Sequence, residues 1–342
     1  FWRVGGEAYL DYVHGLYLTN RPVPQADDLE RAVTYLEQSV RRDSSFQRAR
    51  LALADAYVSL YDVKYDVKYL TEAQRYARSV LAHDTSNSTA LSILGQVKYY
   101  VFEMDSARHF LTRALERNPR DVRALTISGS MVMYENQHEA IVRFERAREV
   151  EPRNATVISN LGIVQSMLRD FDNAQKTLQY AIELKPDDLV SWMSLGYTNE
   201  KLGKVDDARR CYLHVFTENA AVEQVYPLLF RLLITLHQYP LADSLTRQAI
   251  FLLPKSTYAQ YYRGVVRARV GDERGAREAF SHGLDVLDEQ LQQMSTSPDV
   301  SNYSQDLAFR GLFHARLGQR GEAKADLQRA ISAESANHEA FM

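Results

Sequence analysis

The chain has 342 residues, of which 45% are hydrophobic, as is ordinary for a folded chain. Its net charge of −3 argues against a nucleic-acid binder, since such proteins carry a basic stripe. A single cysteine, Cys211, excludes an internal disulfide and most thiolate metal sites. The longest apolar candidate, 225–236, is shorter than 18 residues and interrupted by Arg231, so the sequence predicts no membrane span.

An alanine recurs along the chain at nearly constant spacing. Successive steps are 41, 34, 33, 34, 34, 34, 34 and 47 residues. A period near 34 residues is typical of repeats built from pairs of helices, which stack into an elongated protein. The nine positions are Ala32, Ala73, Ala107, Ala140, Ala174, Ala208, Ala242, Ala276 and Ala323.

Each alanine has characteristic neighbours, which are clearest around Ala174. A small residue lies twelve positions earlier (Gly162), a bulky one four positions later (Leu178) and a proline twelve positions later (Pro186). This pattern resembles the tetratricopeptide repeat, whose units are a helix, a turn and a second helix. The resemblance implies an all-α fold, a right-handed superhelical α-solenoid of about nine such units.

The resemblance extends over nearly the whole chain, after an N-terminal stub at 1–7. The solenoid is predicted over 8–342, with units starting near 8, 47, 88, 121, 155, 189, 223, 257 and 304. Insertions interrupt the period near 20–27, 61–68 and 290–303. The second insertion contains the residues Tyr-Asp-Val-Lys at 61–64 and again at 65–68. It is compatible with an extra turn on each helix of the pair, or with an aromatic ridge that contacts a partner.

The first sixty residues carry a further resemblance, to the repeat module of bacterial signalling proteins. There the module follows a winged-helix DNA-binding, Ser/Thr kinase or nucleotide-cyclase domain. The resemblance implies a sensory or oligomerisation module whose effector domain lies outside this chain. Its motifs are Glu7-Ala8-Tyr9-Leu10, Gly15-Leu16-Tyr17, Asn20-Arg21 and Asp28-Leu29-Glu30-Arg31-Ala32.

The first residue, Phe1, is not a methionine, so we expect the chain to be a fragment. The sequence leaves the location open: cytoplasmic, or periplasmic if a membrane helix tethers it.

Catalytic and cofactor motifs are not visible in the sequence. There is no GxxxxGK[ST], GxGxxG or HExxH pattern, and no two of the nine histidines have the i, i+4 spacing of a metal site. Cys211 adjoins the bulky repeat position Tyr212, which indicates a buried, inert thiol. We therefore predict that the chain is not an enzyme and holds no cofactor or metal.

The resemblance also implies a binding surface, because the first helix of each repeat lines a concave groove. Tyrosine and methionine at these positions suit a protein or peptide partner with apolar anchors, as in a protein–protein interaction scaffold. A homo-oligomer is a further prediction, and in the alternative interpretation the same residues pack between helices. The predicted contacts are Tyr99, Tyr100, Met133, Ile163, Met167, Met193, Tyr197, Arg231, Tyr261 and Arg269.

Overall fold

The computed structural model describes residues 5–21, 25–294 and 303–340. Within these ranges the chain is all-α, with 18 helices in nine consecutive pairs and no strand. The first helices of the pairs are α1 Gly6–Thr19, α3 Gln47–Lys64, α5 Ser88–Tyr100, α7 Val122–Val132, α9 Ala155–Met167, α11 Leu189–Lys201, α13 Val225–Thr235, α15 Thr257–Arg269 and α17 Tyr303–Arg316. The second helices are α2 Ala26–Arg42, α4 Val67–Leu81, α6 Met104–Arg117, α8 Gln137–Val150, α10 Phe171–Leu184, α12 Val205–Glu218, α14 Tyr239–Leu252, α16 Glu273–Met294 and α18 Arg320–Ala340.

The helices group into two compact units. Unit 1 spans Phe1–Thr198 and unit 2 spans Asn199–Met342. Within each unit, neighbouring helices in the chain pack against each other, as in an α-solenoid. A single solenoid over 8–342 stays a prediction, and the two units are described separately below.

Side chains at the start of the first helices explain where several repeats begin. The side-chain oxygens of Asn87, Asp121, Asn154 and Ser256 each accept a hydrogen bond from the backbone N–H three residues later, at 3.0–3.2 Å. Such caps satisfy N–H groups that have no partner inside the helix. A capping side chain thus recurs at the start of the first helix in four of the helix pairs.

The repeat alanines lie where the two helices of a pair meet. Ala107, Ala140 and Ala174 are fully buried. Small residues on the first helix allow the bulky residue of the second helix to approach. A Cβ atom on Gly162 would lie 2.7 Å from Leu178 Cγ, and one on Gly264 would lie 2.4 Å from Phe280 Cε1. A larger side chain at either glycine would push the helices apart.

The three predicted insertions fall at the ends of helices. Residues 22–24 and 295–302, which belong to the first and third insertions, lie outside the described residues, as do residues 1–4 of the predicted stub. The second insertion lies in α3, which has 18 residues where α5 has 13, and in the turn before α4. The division into nine units stays our proposal, and each proposed start falls within two residues of a first helix.

Candidate functional site

Four tyrosines form a continuous row in unit 1, here called the tyrosine row: Tyr65, Tyr61, Tyr100 and Tyr99. Ring centroids are 6.2 Å apart between Tyr65 and Tyr61, 5.1 Å between Tyr61 and Tyr100, and 6.0 Å between Tyr100 and Tyr99. Aromatic rings attract each other at these separations. The row crosses from the end of α3 to the end of α5, two first helices that pack together.

The duplicated segment explains how half of the tyrosine row arises. Tyr61 and Tyr65 are four residues apart, so they lie on the same side of the lengthened end of α3. Tyr65 ends this helix in the left-handed conformation, with φ of 55°, and its N–H donates to Tyr61 O at 2.8 Å. The insertion therefore lengthens α3 and also places two aromatic rings beside Tyr100.

Part of this aromatic surface is open to solvent. Tyr65 is 77% exposed, whereas the other three tyrosines of the row are half-buried. Two further exposed rings, Phe102 and Tyr134, lie in the turns that follow α5 and α7. Burial raises the pKa of the Tyr99 hydroxyl, and the nearby Tyr134 hydroxyl raises it further. Exposed rings thus recur at the turn of three successive helix pairs.

Polar groups border the tyrosine row. Gln96 Nε2 donates to Tyr100 Oη at 3.1 Å, while Gln96 Oε1 is buried without a hydrogen-bond partner among the described residues. Burial, and next the adjacent Asp62 carboxylate, raise the pKa of the Tyr100 hydroxyl, so that hydroxyl stays protonated at neutral pH. These groups can donate and accept hydrogen bonds beside an apolar contact area, as peptide recognition requires.

A charged contact links first helices that are two repeats apart. Asp55 on α3 forms an ion pair with Arg123 on α7, past the intervening α5. Burial raises the pKa of the Asp55 carboxyl, and Arg123 opposes this shift. Arg123 also acts on Asp62 beside the tyrosine row, where it opposes a similar rise in pKa. Charged groups of α3 and α7 therefore act on each other although α5 lies between them in the chain.

The structure places Met133 differently from the predicted groove. Met133 is only 6% exposed and packs in a core cluster with Phe144 and Leu161. Met133 follows the last residue of α7 and keeps a helical backbone, with φ of −60° and ψ of −28°. Its burial therefore comes from packing with side chains of α8 and α9, which cover this side of the helix end. Ile163 is partly buried against the same cluster.

Other predicted contacts of unit 1 remain accessible. Met167 is 36% exposed at the end of α9, and Tyr197 is 40% exposed on α11. Met193, also on α11, is half-buried. These three residues follow the tyrosine row along the chain.

The predicted contacts of unit 2 are largely engaged by the protein itself. Arg231 pairs with Glu200 at 2.8 Å. Tyr261 has the rings of Phe309 and Phe313 at 5.5 and 5.6 Å, and its hydroxyl accepts a hydrogen bond from Arg316. For Tyr261 the structure favours the alternative that predicted groove residues pack between helices. Arg269 is exposed at the end of α15.

A family model described as "Tetratricopeptide repeat" matches residues 160–213. This match covers α10, α11 and most of α12, and it agrees with the helix pairs described above. The chain therefore contains tetratricopeptide repeats, as the alanine period predicts. Proteins with this fold are mostly non-enzymatic scaffolds for protein interaction. The resemblance of the opening segment to bacterial signalling modules stays a prediction.

Similar curated proteins also carry this repeat in their names. Tetratricopeptide repeat-containing protein trd-1 of Caenorhabditis elegans is 29% identical over 32% of this chain and 14% of its own length. Human tetratricopeptide repeat protein 21B is 27% identical over 52% of this chain and 13% of its own length. Human protein O-mannosyl-transferase TMTC3 is 24% identical over 42% of this chain and 17% of its own length. The chain thus spans about a seventh of the relatives it matches.

A solved structure supports the fold. The structure of pilF from Pseudomonas aeruginosa is 21% identical and superposes with a TM-score of 0.50, over 64% of this chain and 96% of pilF. At this level of identity the likeness concerns the helical architecture alone. Within the described residues, no helix is both long and apolar enough to cross a lipid bilayer.

Proposed function

We propose that unit 1 binds a peptide or protein segment with apolar anchors along the tyrosine row, without catalysing a reaction. The observation that carries the proposal is the continuous contact of four rings across two first helices, with Tyr65 largely exposed. Tyrosine supplies large contact area at low cost in side-chain entropy. Met167 and Tyr197, exposed on later first helices of unit 1, are proposed as further contacts.

Hydrogen-bonding groups beside the row support an extended or helical peptide as the partner. The unpartnered Gln96 Oε1 can accept a hydrogen bond from a peptide N–H, which would offset the cost of its burial, about 1–3 kcal/mol. The ion pair of Asp55 and Arg123 offers both charges to polar groups of a partner. Met133, being buried, is left out of the proposed surface.

The proposal that the chain is not an enzyme is supported by its one thiol. Burial raises the pKa of Cys211 to about 11, so the thiol is protonated and weakly nucleophilic at neutral pH. TMTC3 is named a mannosyl-transferase, and the match to this chain covers 17% of that protein's length. We infer that the matched part corresponds to a repeat region.

Peptide selection tests the proposed function. A display library of twelve-residue peptides is selected on the whole chain, and the affinity of enriched peptides is measured by fluorescence polarisation. We expect enriched sequences to carry aromatic or aliphatic anchors, and Tyr65→Ser to weaken their binding about tenfold. Because Tyr65 is mostly exposed, its substitution should leave the thermal midpoint nearly unchanged.

Tyr180→Ser is the matched control. Tyr180 is 40% exposed on α10, a second helix of unit 1, and its loss should leave peptide affinity within twofold. Equal binding of the enriched peptides to the Tyr65→Ser variant and to the parent chain would overturn the proposal. So would equal losses at Tyr65 and Tyr180, because aromatic surface in general would then be responsible.

A further inference from the structure

An open pocket lies in unit 2, and none of its lining residues belongs to the tyrosine row. It has a volume of about 700 Å³ and is formed by α14, α15 and α16, which belong to the seventh and eighth helix pairs. Arginine is its most frequent lining residue. The wall also contains two apolar side chains, Ile250 and Phe251, and the buried amide side chain of Gln260.

Three of the four arginines that line the pocket have a carboxylate partner. The distances between guanidinium nitrogens and carboxylate oxygens run from 2.7 to 3.3 Å, so these positive charges are compensated within the protein. The pairs are Arg267 with Asp243 and Asp272, Arg247 with Asp243, and Arg274 with Glu278.

The fourth arginine, Arg263, has no ion pair among the described residues. Its Nη1 atom is buried and lacks a hydrogen-bond partner within the same part of the chain. Burial, and next the like charge of Arg267, lower the pKa of the Arg263 guanidinium, and the nearby carboxylates of Asp243 and Asp272 oppose this shift. A buried donor without a partner is costly, and an acceptor that enters the pocket would remove that cost.

The charge balance of the pocket defines the class of ligand. Asp272, Glu278 and His282 line the pocket with the four arginines, and Asp243 pairs with Arg247 and Arg267 from outside the lining. These three carboxylates leave one uncompensated arginine charge, that of Arg263. A ligand with one negative charge neutralises the remaining positive charge of the pocket. The second negative charge of a phosphate dianion would stay uncompensated and would be repelled by the carboxylates. A guanidinium matches the two oxygens of a carboxylate.

The apolar wall restricts the ligand further. Phe251 is 83% exposed, and Ile250 is half-buried beside it at the end of α14. A ligand that covers the Phe251 ring would remove apolar surface from water. We propose that this pocket, here called the Arg263 pocket, binds a carboxylate that carries an apolar or aromatic group. The carboxylate pairs with Arg263 and receives a hydrogen bond from the Gln260 amide.

Calorimetric titration of the whole chain with phenylacetate tests this proposal. We expect saturable binding by the parent chain and at least tenfold weaker binding by the Arg263→Gln variant. Phe251→Ser should weaken binding about threefold without unfolding the protein, since this ring is mostly exposed. Arg277→Gln is the matched control, because Arg277 is exposed on the same helix, α16, and does not line the pocket. It should change the affinity less than twofold.

Three further probes separate the classes of ligand. Neutral 2-phenylethanol and inorganic phosphate should each bind at least tenfold more weakly than phenylacetate. Acetyl-Gly-Phe with a free carboxylate, compared with its C-terminal amide, shows whether a chain terminus fits as well as a free acid. Tighter binding of phosphate, equal binding of 2-phenylethanol, or full binding by a folded Arg263→Gln variant would each overturn the proposal. Peptide binding by the tyrosine row is independent of all these outcomes.

Discussion

One tyrosine from each unit shows how different the surroundings of an aromatic ring can be in this protein. In unit 1, Tyr65 stands largely exposed at one end of the tyrosine row. In unit 2, Tyr261 is enclosed by Phe280, Phe309 and Phe313, with ring centroids 5.5–6.0 Å away. The difference shows that neighbouring repeats decide whether a tyrosine of a first helix or its end is covered or open to solvent. Its position in the repeat does not decide this.

Substitution of Tyr261 and of Tyr65 by alanine should give the largest difference in the free energy of unfolding. We expect Tyr261→Ala to lower the free energy of unfolding by about 3 kcal/mol, because it leaves a cavity among aromatic rings. Tyr65→Ala should lower it by less than about 0.5 kcal/mol, since Tyr65 is mostly exposed. Urea unfolding followed by circular dichroism measures both. Equal losses would contradict the distinction between a covered and an open ring.

High pH should reveal the buried phenols of unit 2. Burial raises the pKa of Tyr226 and of Tyr262 to about 12, above the ordinary value of 10. Below pH 10 the folded and unfolded states both keep these protons, so stability does not change. Between pH 10 and 12 the unfolded state loses them first, and each phenol should reduce stability by about 1 kcal/mol at pH 11.

Thermal unfolding between pH 9 and 12 measures this loss, and absorbance near 295 nm follows the phenolates. Tyr226→Phe is the matched variant. It removes one titrating group and also the hydrogen bond from Tyr226 Oη to Ala220 O, 2.6 Å long. The variant should therefore be less stable than the parent at pH 9, and its stability should fall less steeply above pH 10. An unchanged slope would show that Tyr226 titrates normally.

Two turn residues, one in each unit, allow a third comparison, which concerns backbone strain. Phe102 in unit 1 has φ of 59°, a left-handed conformation that is unfavourable for a bulky residue, whereas Gly203 in unit 2 occupies it without strain at φ of 73°. Phe102→Gly should raise the free energy of unfolding by about 0.5–1 kcal/mol. Gly203→Ala should lower it by about 1 kcal/mol, although a Cβ there meets open space. Chemical denaturation tests both, and a loss of stability in Phe102→Gly would show that the ring makes a stabilising contact.

A further small effect is expected at Arg231. This side chain is 52% exposed and pairs with Glu200, so Arg231→Gln should cost less than about 1 kcal/mol. Arg231 was predicted as a partner contact, and the substitution should leave the affinity of peptides selected on the tyrosine row unchanged. A tenfold weaker peptide would instead place Arg231 within the binding surface.

Only part of the proposed binding surface, the tyrosine row, could be predicted from the sequence. Tyr99 and Tyr100 were predicted from their positions in the repeat, and they lie in the tyrosine row. Tyr61 was visible only as part of a duplication, and its contact with Tyr100 depends on how two first helices pack. The burial of Met133 depends on its packing with Phe144 and Leu161, which lie on later helices, and the repeat period does not define that packing.

The sequence by itself determined that the chain is built from pairs of helices. The alanine period, the small residues and the capping side chains act within one repeat or between its two helices, over short distances in the chain. The tertiary structure alone decided which rings stay exposed and which charge stays unpaired. Tyr100 and Arg263 owe their surroundings to side chains from several helices, and their contacts follow from packing between repeats.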